Sequence, residues 1–384
     1  MEIVIAPDKF KGTLTAAQAA EAIAEGIRRA ARHTGRTDVR LTLKPMADGG
    51  EGSLDILAGS NGTYRPVEAF DARMRPLQSA YVALPNGTGK RAAVEAASTI
   101  GLYKLPKAER NPTLTTSYGM GAVLRKAIES GYTELVVAVG GTATSDCGAG
   151  MLAALGCRFF DRHGRTVEHP AGGDLTTIHD LDPSPLYRLT ADCRFSVLCD
   201  VDNPLTGARG AAAVFAPQKG ADADAVALLE AGAEHFATVV ARKIGHDFRH
   251  AAGSGAAGGI GWALKSFCKA DFISGAAAMA SLTGTDRAIR SASLVVTGEG
   301  RFDRQSLHGK VAGHVASLAH QSGIPAIVLC GAREHDIPAE ALAPAGISAL
   351  FALTDRIPSH EAFARPAESL ARLSADLFGY LLTR

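Results

Sequence analysis

The first sixty residues alternate twice between a short apolar run and a helical pattern, and this rhythm restricts the fold more than any other feature of the chain. Residues 2–6 form a β-branched run. After the loop Pro7-Asp-Lys-Phe-Lys-Gly12, Thr15 and Gln18 make a capping box for a helix whose apolar positions 19, 20, 23, 27 and 30 share one face. Val39, Leu41 and Leu43 alternate as a second strand, which runs into Pro45-Met-Ala-Asp-Gly-Gly-Glu-Gly52 ahead of another helix. Consecutive units of this kind imply parallel strands joined by right-handed crossovers. The rhythm returns near the other end, where it predicts strands at 293–297, 325–330 and 349–353 and helices at 309–322 and 360–382.

The two ends therefore predict an α/β domain of residues 1–65 plus 286–384, built on a doubly wound parallel sheet and Rossmann-like, with a second α/β domain of residues 66–285 inserted in it. The insertion opens on turn-rich sequence at 65–85 and carries strong strands at 135–139 and 195–201. Gly253-Ser-Gly-Ala-Ala-Gly-Gly-Ile-Gly261 reads as a hinge or as the start of a helix. Two cores are expected because 384 residues are too many for one.

A formal net charge of +1, with no long block of one sign, leaves no electrostatic footprint for nucleic acid or an anionic membrane, so the expected partner is a small molecule. No apolar run is long enough to span a bilayer and the N-terminus lacks a leader pattern, which predicts a cytoplasmic protein, with monomer and homodimer both open. Six cysteines without a C-x-x-C pair read as free thiols in or near the core. Asn61-Gly and Asn86-Gly read as turns rather than glycosylation sites.

Polar chemistry gathers where the predicted strands end. Ser293-Leu-Val-Val-Thr-Gly-Glu-Gly-Arg-Phe-Asp-Arg-Gln-Ser-Leu-His-Gly-Lys310 is an apolar strand spilling into a turn that holds Glu299, Arg301, Asp303, Arg304 and Lys310, with His308 inside the motif. Asp48 and Glu51 follow the second strand, either as Mg²⁺ ligands or as acids favouring the next helix N-terminus. Asp8, Lys9 and Lys11 precede the first helix, with one of the two lysines expected to meet phosphate.

In the insertion, Leu135-Val-Val-Ala-Val-Gly-Gly-Thr-Ala-Thr-Ser-Asp-Cys-Gly-Ala-Gly150 joins a strand to a helix through small residues, the composition of a phosphate cradle. A tight turn closing a core would read the same way. Asp200, Asp202 and Asn203 end another strand, where holding a substrate hydroxyl and capping a turn are both open. Asn111-Pro-Thr-Leu-Thr-Thr-Ser-Tyr-Gly-Met-Gly121 is a hydroxyl-rich ligand loop or a capped helix start.

The chain has no G-x-x-x-x-G-K-[ST] loop, no protein-kinase signature set, no H-E-x-x-H and no G-x-S-x-G. Gly253-Ser-Gly255-Ala-Ala-Gly258 matches G-x-G-x-x-G but follows no buried strand, so it lacks the context of a dinucleotide fingerprint. Carboxylates, lysines and a small-residue loop without an evident nucleophile fit phosphoryl transfer, in which the protein chiefly positions groups and neutralises charge.

Taken together the motifs resemble the bacterial glycerate kinase family, type I, ATP-dependent enzymes unrelated to P-loop kinases. The likeness runs through Ala6-Pro-Asp-Lys-Phe-Lys-Gly12, Pro45-Met-Ala-Asp-Gly-Gly-Glu-Gly52, Asn111-Pro-Thr with Thr116-Ser-Tyr-Gly-Met-Gly121, Gly140-Gly-Thr-Ala-Thr-Ser-Asp-Cys-Gly-Ala-Gly150, Cys199-Asp-Val-Asp-Asn-Pro-Leu-Thr-Gly207, Phe215-Ala-Pro-Gln-Lys-Gly220 and Thr297-Gly-Glu-Gly-Arg-Phe-Asp-Arg-Gln-Ser306 with Gly309-Lys310. It implies two α/β domains with the active site in the cleft between them, ATP and Mg²⁺ as cofactors, D-glycerate as acceptor and 2-phosphoglycerate as product. Relatives commonly read Ala-Thr-Asn-Asp-Gly-Gly in the small-residue loop, where Ser145 and Cys147 replace the Asn and the first Gly. Many relatives carry Ser at position 9.

Side-chain chemistry assigns provisional roles within that frame. Asp303 or Asp8 takes the proton from the acceptor hydroxyl, and Lys11, Arg301 and Lys310 balance the transferred charge. Asp48, Glu51, Asp146 and Glu299 are the candidate metal ligands. Gly140, Gly141, Thr142, Thr144, Ser145 and Gly148 are expected around the nucleotide phosphates, and Ser117, Asp202, Asn203, Gln305 and Ser306 around the substrate. A 3-phospho product, a related small hydroxy acid, or a non-catalytic sensor of nucleotides or sugar acids are the competing readings.

Overall fold

The computed structural model describes residues 1–85, 90–307, 309–334 and 337–383, so the Asn86 turn and His308 lie outside the described residues. Contacts divide the chain into two compact units, Met1–Asp48 with Ala276–Arg384, and Gly49–Gly275. In chain order the strands among the described residues are β1 (Glu2–Ile5), β2 (Arg40–Leu43), β3 (Thr63–Phe70), β4 (Pro76–Leu84), β5 (Arg91–Glu95), β6 (Glu134–Ala138), β7 (Arg158–Phe160), β8 (Asp180–Asp182), β9 (Arg194–Leu198), β10 (Asp271–Ile273), β11 (Leu294–Phe302), β12 (Ala326–Arg333) and β13 (Ala349–Ala352).

The first unit holds an all-parallel sheet in the order β13-β12-β11-β1-β2. Counted within this unit the order is 2-1-3-4-5, one of the two common doubly wound arrangements, and its switch point lies between β1 and β11. Side chains alternate across the sheet. Ile3, Ile5, Leu294, Val296, Ile327 and Leu329 share a core with the helices Ala16–His33 and Pro366–Leu381, while Val4, Val295 and Val328 on the opposite face are equally buried. Burial on both faces explains why these strands read as unbroken apolar runs. Each such side chain contributes roughly 1.5–3 kcal/mol on leaving water. The Thr15 capping box is present, with Gln18 N–H donating to Thr15 Oγ1 at 3.2 Å and Thr15 N–H to Gln18 Oε1 at 2.9 Å.

The second unit is built on a six-stranded sheet, β10-β9-β6-β5-β4-β3. β5, β6, β9 and β10 run parallel; β3 and β4 form an antiparallel hairpin on the edge. The segment 65–85, read from sequence as turns, is therefore mostly sheet. Its turn is confined to residues 71–75, where the Asp71 carboxylate accepts the N–H groups of Arg73 and Arg75 at 2.8 and 2.9 Å. The sequence pattern put the first break near 65, but the helix Ser53–Gly59 packs on β4 and β5 and belongs to this unit. Asn61 ends that helix at φ 90°, the left-handed turn expected of an Asn-Gly pair.

An aromatic stack centres the second core: Trp262 meets Phe236 at 5.5 Å between ring centroids, and Phe236 meets Phe159 at 5.6 Å. Trp262 lies on the helix Ile260–Cys268, and the glycine run 253–261 leads into it through a turn and a kinked 3-10 segment, with only its last two residues inside the helix. The six cysteines are all free thiols, three of them buried. No helix among the described residues is long and apolar enough to cross a membrane.

Candidate active site

In the first unit the polar groups stand at the carboxyl ends of β1, β2 and β11, around the switch point where open α/β sheets bind ligands. Asp8 N–H donates to Gly298 O at 2.8 Å, which fixes the loop after β1 against β11. Glycines permit this approach: a Cβ on Gly300 would lie 3.0 Å from the Lys11 amide nitrogen and 3.2 Å from Phe10 Cα. β11 does not end where its apolar run ends. It pairs with β12 through Glu299, Arg301 and Phe302, so Glu299 sits inside the strand and the turn begins only at Asp303.

That turn, Arg304–Leu307, is organised around Asp303. Ser306 N–H donates to Asp303 Oδ1 at 3.0 Å, Ser306 Oγ accepts the Asp303 N–H at 3.0 Å, and Lys310 Nζ donates to both carboxylate oxygens at 3.2 Å. Burial opposes ionisation of Asp303, but Lys310 and Ser306 outweigh it and hold the carboxyl below its ordinary value. Ser306, expected near substrate, is fully buried and bonded to Asp303. Gln305, Lys11 and Arg301 are exposed.

Asp8 and Glu299 behave oppositely. Burial, followed by the negative charge of Asp48, raises Asp8 to about 7 against the pull of Lys9 and Lys310. Burial likewise raises Glu299 to about 7, aided by Asp8 and Asp303 and opposed by Ser306 and Lys310. Glu299 Oε1 is buried with no hydrogen-bond partner. Carboxyls this close to neutrality, one with an orphaned oxygen, fit a site that takes up a cation or a proton. Among the described residues no three acidic, histidine or cysteine side chains converge to hold a metal by themselves. A Mg²⁺ ion at Asp48 and Glu299 would complete its shell with phosphate oxygens and water, as it commonly does.

In the second unit β6 leads into the small-residue loop and then the helix Ala149–Ala154. Gly140 N–H donates to Gly49 O at 3.1 Å, and a Cβ on Gly140 would lie 2.7 Å from Gly50 Cα. Gly141 and Gly148 take φ 76° and 70°. Thr142, Thr144 and Ser145 are buried, and the hydroxyls of Thr144 and Ser145 have no partner. Cys147 adopts φ 51°, a left-handed conformation that glycine reaches freely.

Asp146 is enclosed by hydrogen bonds from its own surroundings. Its Oδ2 accepts Ser117 N–H and Oγ–H at 2.7 Å each and Gly150 N–H at 3.1 Å, and its Oδ1 accepts Gly148 N–H at 3.2 Å. It is fully buried, and burial raises its pKa despite those donors. A carboxylate so enclosed and so occupied, expected from sequence as a metal ligand, serves here as an internal anchor. Ser117, expected at the substrate, is likewise committed: its Oγ also accepts Met151 N–H at 2.8 Å.

Glu51 is exposed just before the helix Ser53–Gly59. Asp202 and Asn203 are held by one arginine, whose Nη2 donates to both Asp202 oxygens at 2.9 Å and whose carbonyl, that of Arg209, accepts Asn203 Nδ2–H at 2.8 Å.

Two features escaped the assignment of site residues. Lys219 points into the interior and donates to Thr144 O at 2.5 Å. Gly258, at φ 68°, accepts Cys147 N–H at 2.9 Å and leaves no room for a Cβ beside the Thr144 carbonyl. Their signals were present, in Phe215-Ala-Pro-Gln-Lys-Gly220 and in the glycine run, but neither motif indicates which loop it supports.

A doubly wound sheet with acids and a lysine at its switch point, together with a small-residue strand-to-helix loop, fits the class of phosphotransferases that lack a P-loop. The model of the glycerate kinase family matches residues 3–382. The chain is 38% identical to "Glycerate kinase" of Bacillus subtilis (strain 168), over 98% of this chain and 97% of that one. It is 36% identical to "Glycerate 2-kinase" of Escherichia coli (strain K12), with the same coverage. A crystal structure from Salmonella typhimurium LT2 bearing the glycerate kinase 2 name superposes with a TM-score of 0.82 at 34% identity, covering 100% of this chain and 98% of that one. The chain belongs to the glycerate kinase family and is an enzyme, a kinase acting on a small molecule.

Proposed function

We propose that the protein transfers the γ-phosphoryl group of ATP to D-glycerate with Mg²⁺, giving 2-phosphoglycerate. The observation that carries this reading is the group formed by Asp8, Glu299, Asp303 and Lys310 at the β1/β11 switch point. The Escherichia coli relative's name supports the 2-position. The reading places the reaction in the cytoplasm, carried out by a monomer or homodimer.

Of the two candidate bases the surroundings favour Asp8. Asp303 already accepts Ser306 and Lys310, and its depressed pKa makes it a weak proton acceptor. Asp8 is raised to about 7, close to the value at which a carboxylate takes a proton most effectively near neutral pH. In this mechanism Asp8 removes the hydroxyl proton of glycerate as the oxygen attacks phosphorus in line. Asp303 holds Lys310 where its ammonium meets the charge on the moving phosphoryl group, and Lys11 and Arg301 add to that field. Asp48 and Glu299, with Glu51, are the residues that would hold Mg²⁺, which when bound neutralises phosphate charge and fixes the triphosphate. The loop of Gly140, Gly141, Thr142, Thr144, Ser145 and Gly148 receives phosphate oxygens on its amides and hydroxyls, and Asp202, Asn203 and Gln305 contact the acceptor.

The test is to incubate the protein with ATP, Mg²⁺ and D-glycerate and couple the product to enolase without mutase. Signal is expected. Signal only after mutase is added would move the phosphate to the 3-position, and no nucleotide turnover would remove the kinase reading.

A further inference from the structure

Lys219 is the only lysine or arginine among the described residues that is buried, at 2% exposure. It closes the short turn Pro217–Lys219, and Gly220 follows at φ 99° against the Arg110 backbone, so the chain reverses there and the side chain is driven inward. The ammonium donates to Thr144 O at 2.5 Å and, at a longer 3.4 Å, to Thr142 Oγ1. Among the described residues it makes no ion pair within 4 Å. Burial lowers its pKa to about 8 against the nearby negative charge of Asp146, so that charge offsets the loss of water only in part.

The same four residues carry two further groups in that condition. Thr144 Oγ1 and Ser145 Oγ are buried and have no hydrogen-bond partner. Orphaned buried hydroxyls are rare in native proteins and call for an explanation. The peptide plane supplies a direction. With Thr144 C=O turned toward Lys219, the N–H of Ser145 must point the opposite way, because carbonyl and amide of a trans peptide are antiparallel. Gly258 prevents the carbonyl from turning back, since Cys147 N–H is bonded to Gly258 O and the Thr144 carbonyl is packed against the Gly258 Cα.

We propose that Lys219 is a positioning residue of the nucleotide site, holding the Thr142–Ser145 backbone from within so that its amides and orphaned hydroxyls serve the polyphosphate chain, and supplying the positive charge that makes the loop choose polyphosphate over nucleoside. The proposal rests on the reading of this loop as the phosphate cradle. It names a positive charge for a loop whose own ionisable side chain, Asp146, is acidic.

The test measures binding to the full chain by calorimetry and thermal shift, with ATP, inorganic tripolyphosphate and adenosine as probes. Wild type is expected to bind ATP and tripolyphosphate; if it binds neither, the cradle reading falls and this inference with it. Lys219→Met keeps length and removes charge. It should retain the circular dichroism spectrum and the thermal shift given by D-glycerate, lose at least tenfold in affinity for ATP and tripolyphosphate, and keep its affinity for adenosine. The KM for ATP should rise while that for D-glycerate stays. Binding of ATP by Lys219→Met within twofold of wild type would overturn the proposal, as would equal losses for adenosine and tripolyphosphate. Should Lys219→Met not fold, the double variant Thr144→Val, Ser145→Ala decides, since it removes only orphaned hydroxyls: weakened tripolyphosphate binding supports the proposal and unchanged binding refutes it.

Discussion

Lys310 Nζ stands 3.2 Å from each carboxylate oxygen of Asp303, a symmetric pairing across the turn that follows β11. The pair is about one-third exposed on both sides, so its worth to stability is small. Its place at the switch point matters more, because in the proposed mechanism it fixes an ammonium where phosphoryl charge is neutralised.

Asp8 and Asp303 therefore separate by function. Asp8→Asn is expected to lower kcat by about 10²–10⁴, the usual loss for a general base. Asp303→Asn should leave the fold intact and lower kcat less, with the accompanying change in the KM for ATP that Asp8→Asn lacks. Steady-state kinetics on both variants check this; a larger kcat defect for Asp303→Asn would exchange their roles.

Burial of Asp8 makes a pH-dependent contribution to stability with a definite sign. Its folded pKa, about 7, exceeds the ordinary 3.8, so between those values the native state binds more protons than the unfolded chain and stability falls as pH rises. Melting temperatures of the metal-free protein in EDTA should show Asp8→Asn gaining on wild type between about pH 4 and pH 7. A constant difference across that range would contradict the assignment.

Asp146 satisfies three backbone amides and the Ser117 hydroxyl from a fully buried position. Asp146→Ala strands those donors, and at about 1–3 kcal/mol for each buried group left unsatisfied the loss should exceed about 3 kcal/mol. Urea unfolding measures it. A loss below about 1 kcal/mol would mean that water or a shifted loop replaces the carboxylate.

Gly258→Ala adds a methyl where the Thr144 carbonyl lies and forces an L-residue to φ 68°. Left-handed strain costs about 1–2 kcal/mol and overpacking about 1–3 kcal/mol more. The same denaturant measurement should show at least about 2 kcal/mol of destabilisation, and nucleotide-dependent thermal stabilisation should shrink with it.

Cys147 already bears that kind of strain, at φ 51°. Cys147→Gly relieves about 1–2 kcal/mol and loses one small buried side chain, so its net effect should lie within about 1 kcal/mol of zero, with ATP binding retained. A loss of several kcal/mol in unfolding experiments would show that the thiol itself is structural.

The strands of the first unit were legible because burial on both sheet faces writes them as continuous apolar runs, as in Ile3, Val4 and Ile5. The hairpin β3-β4 was not. Its exposed edge strand, with four exposed positions from Thr63 to Pro66, gives no strict alternation, and Pro66 and Pro76 mimic turn signals. The clustering of Asp8, Glu299, Asp303 and Lys310 at one sheet edge was legible because acids and a lysine stand out at the ends of apolar runs. The internal bonds of Asp146, Ser117 and Ser306 were not legible, because a polar side chain serving the backbone and one serving a ligand have the same letter.

What the sequence alone determined is the winding of the sheet and the chemical character of its carboxyl edge, since periodicity and residue type are properties of a segment by itself. Only the tertiary structure decided which polar groups are spent on the fold. Asp146 became an anchor, Lys219 a cation enclosed beneath the loop of Thr142 and Thr144, and Glu299 Oε1 an oxygen without a partner. Desolvation and hydrogen-bond partners arise from segments far apart in the chain, and they set the charge and direction of each group.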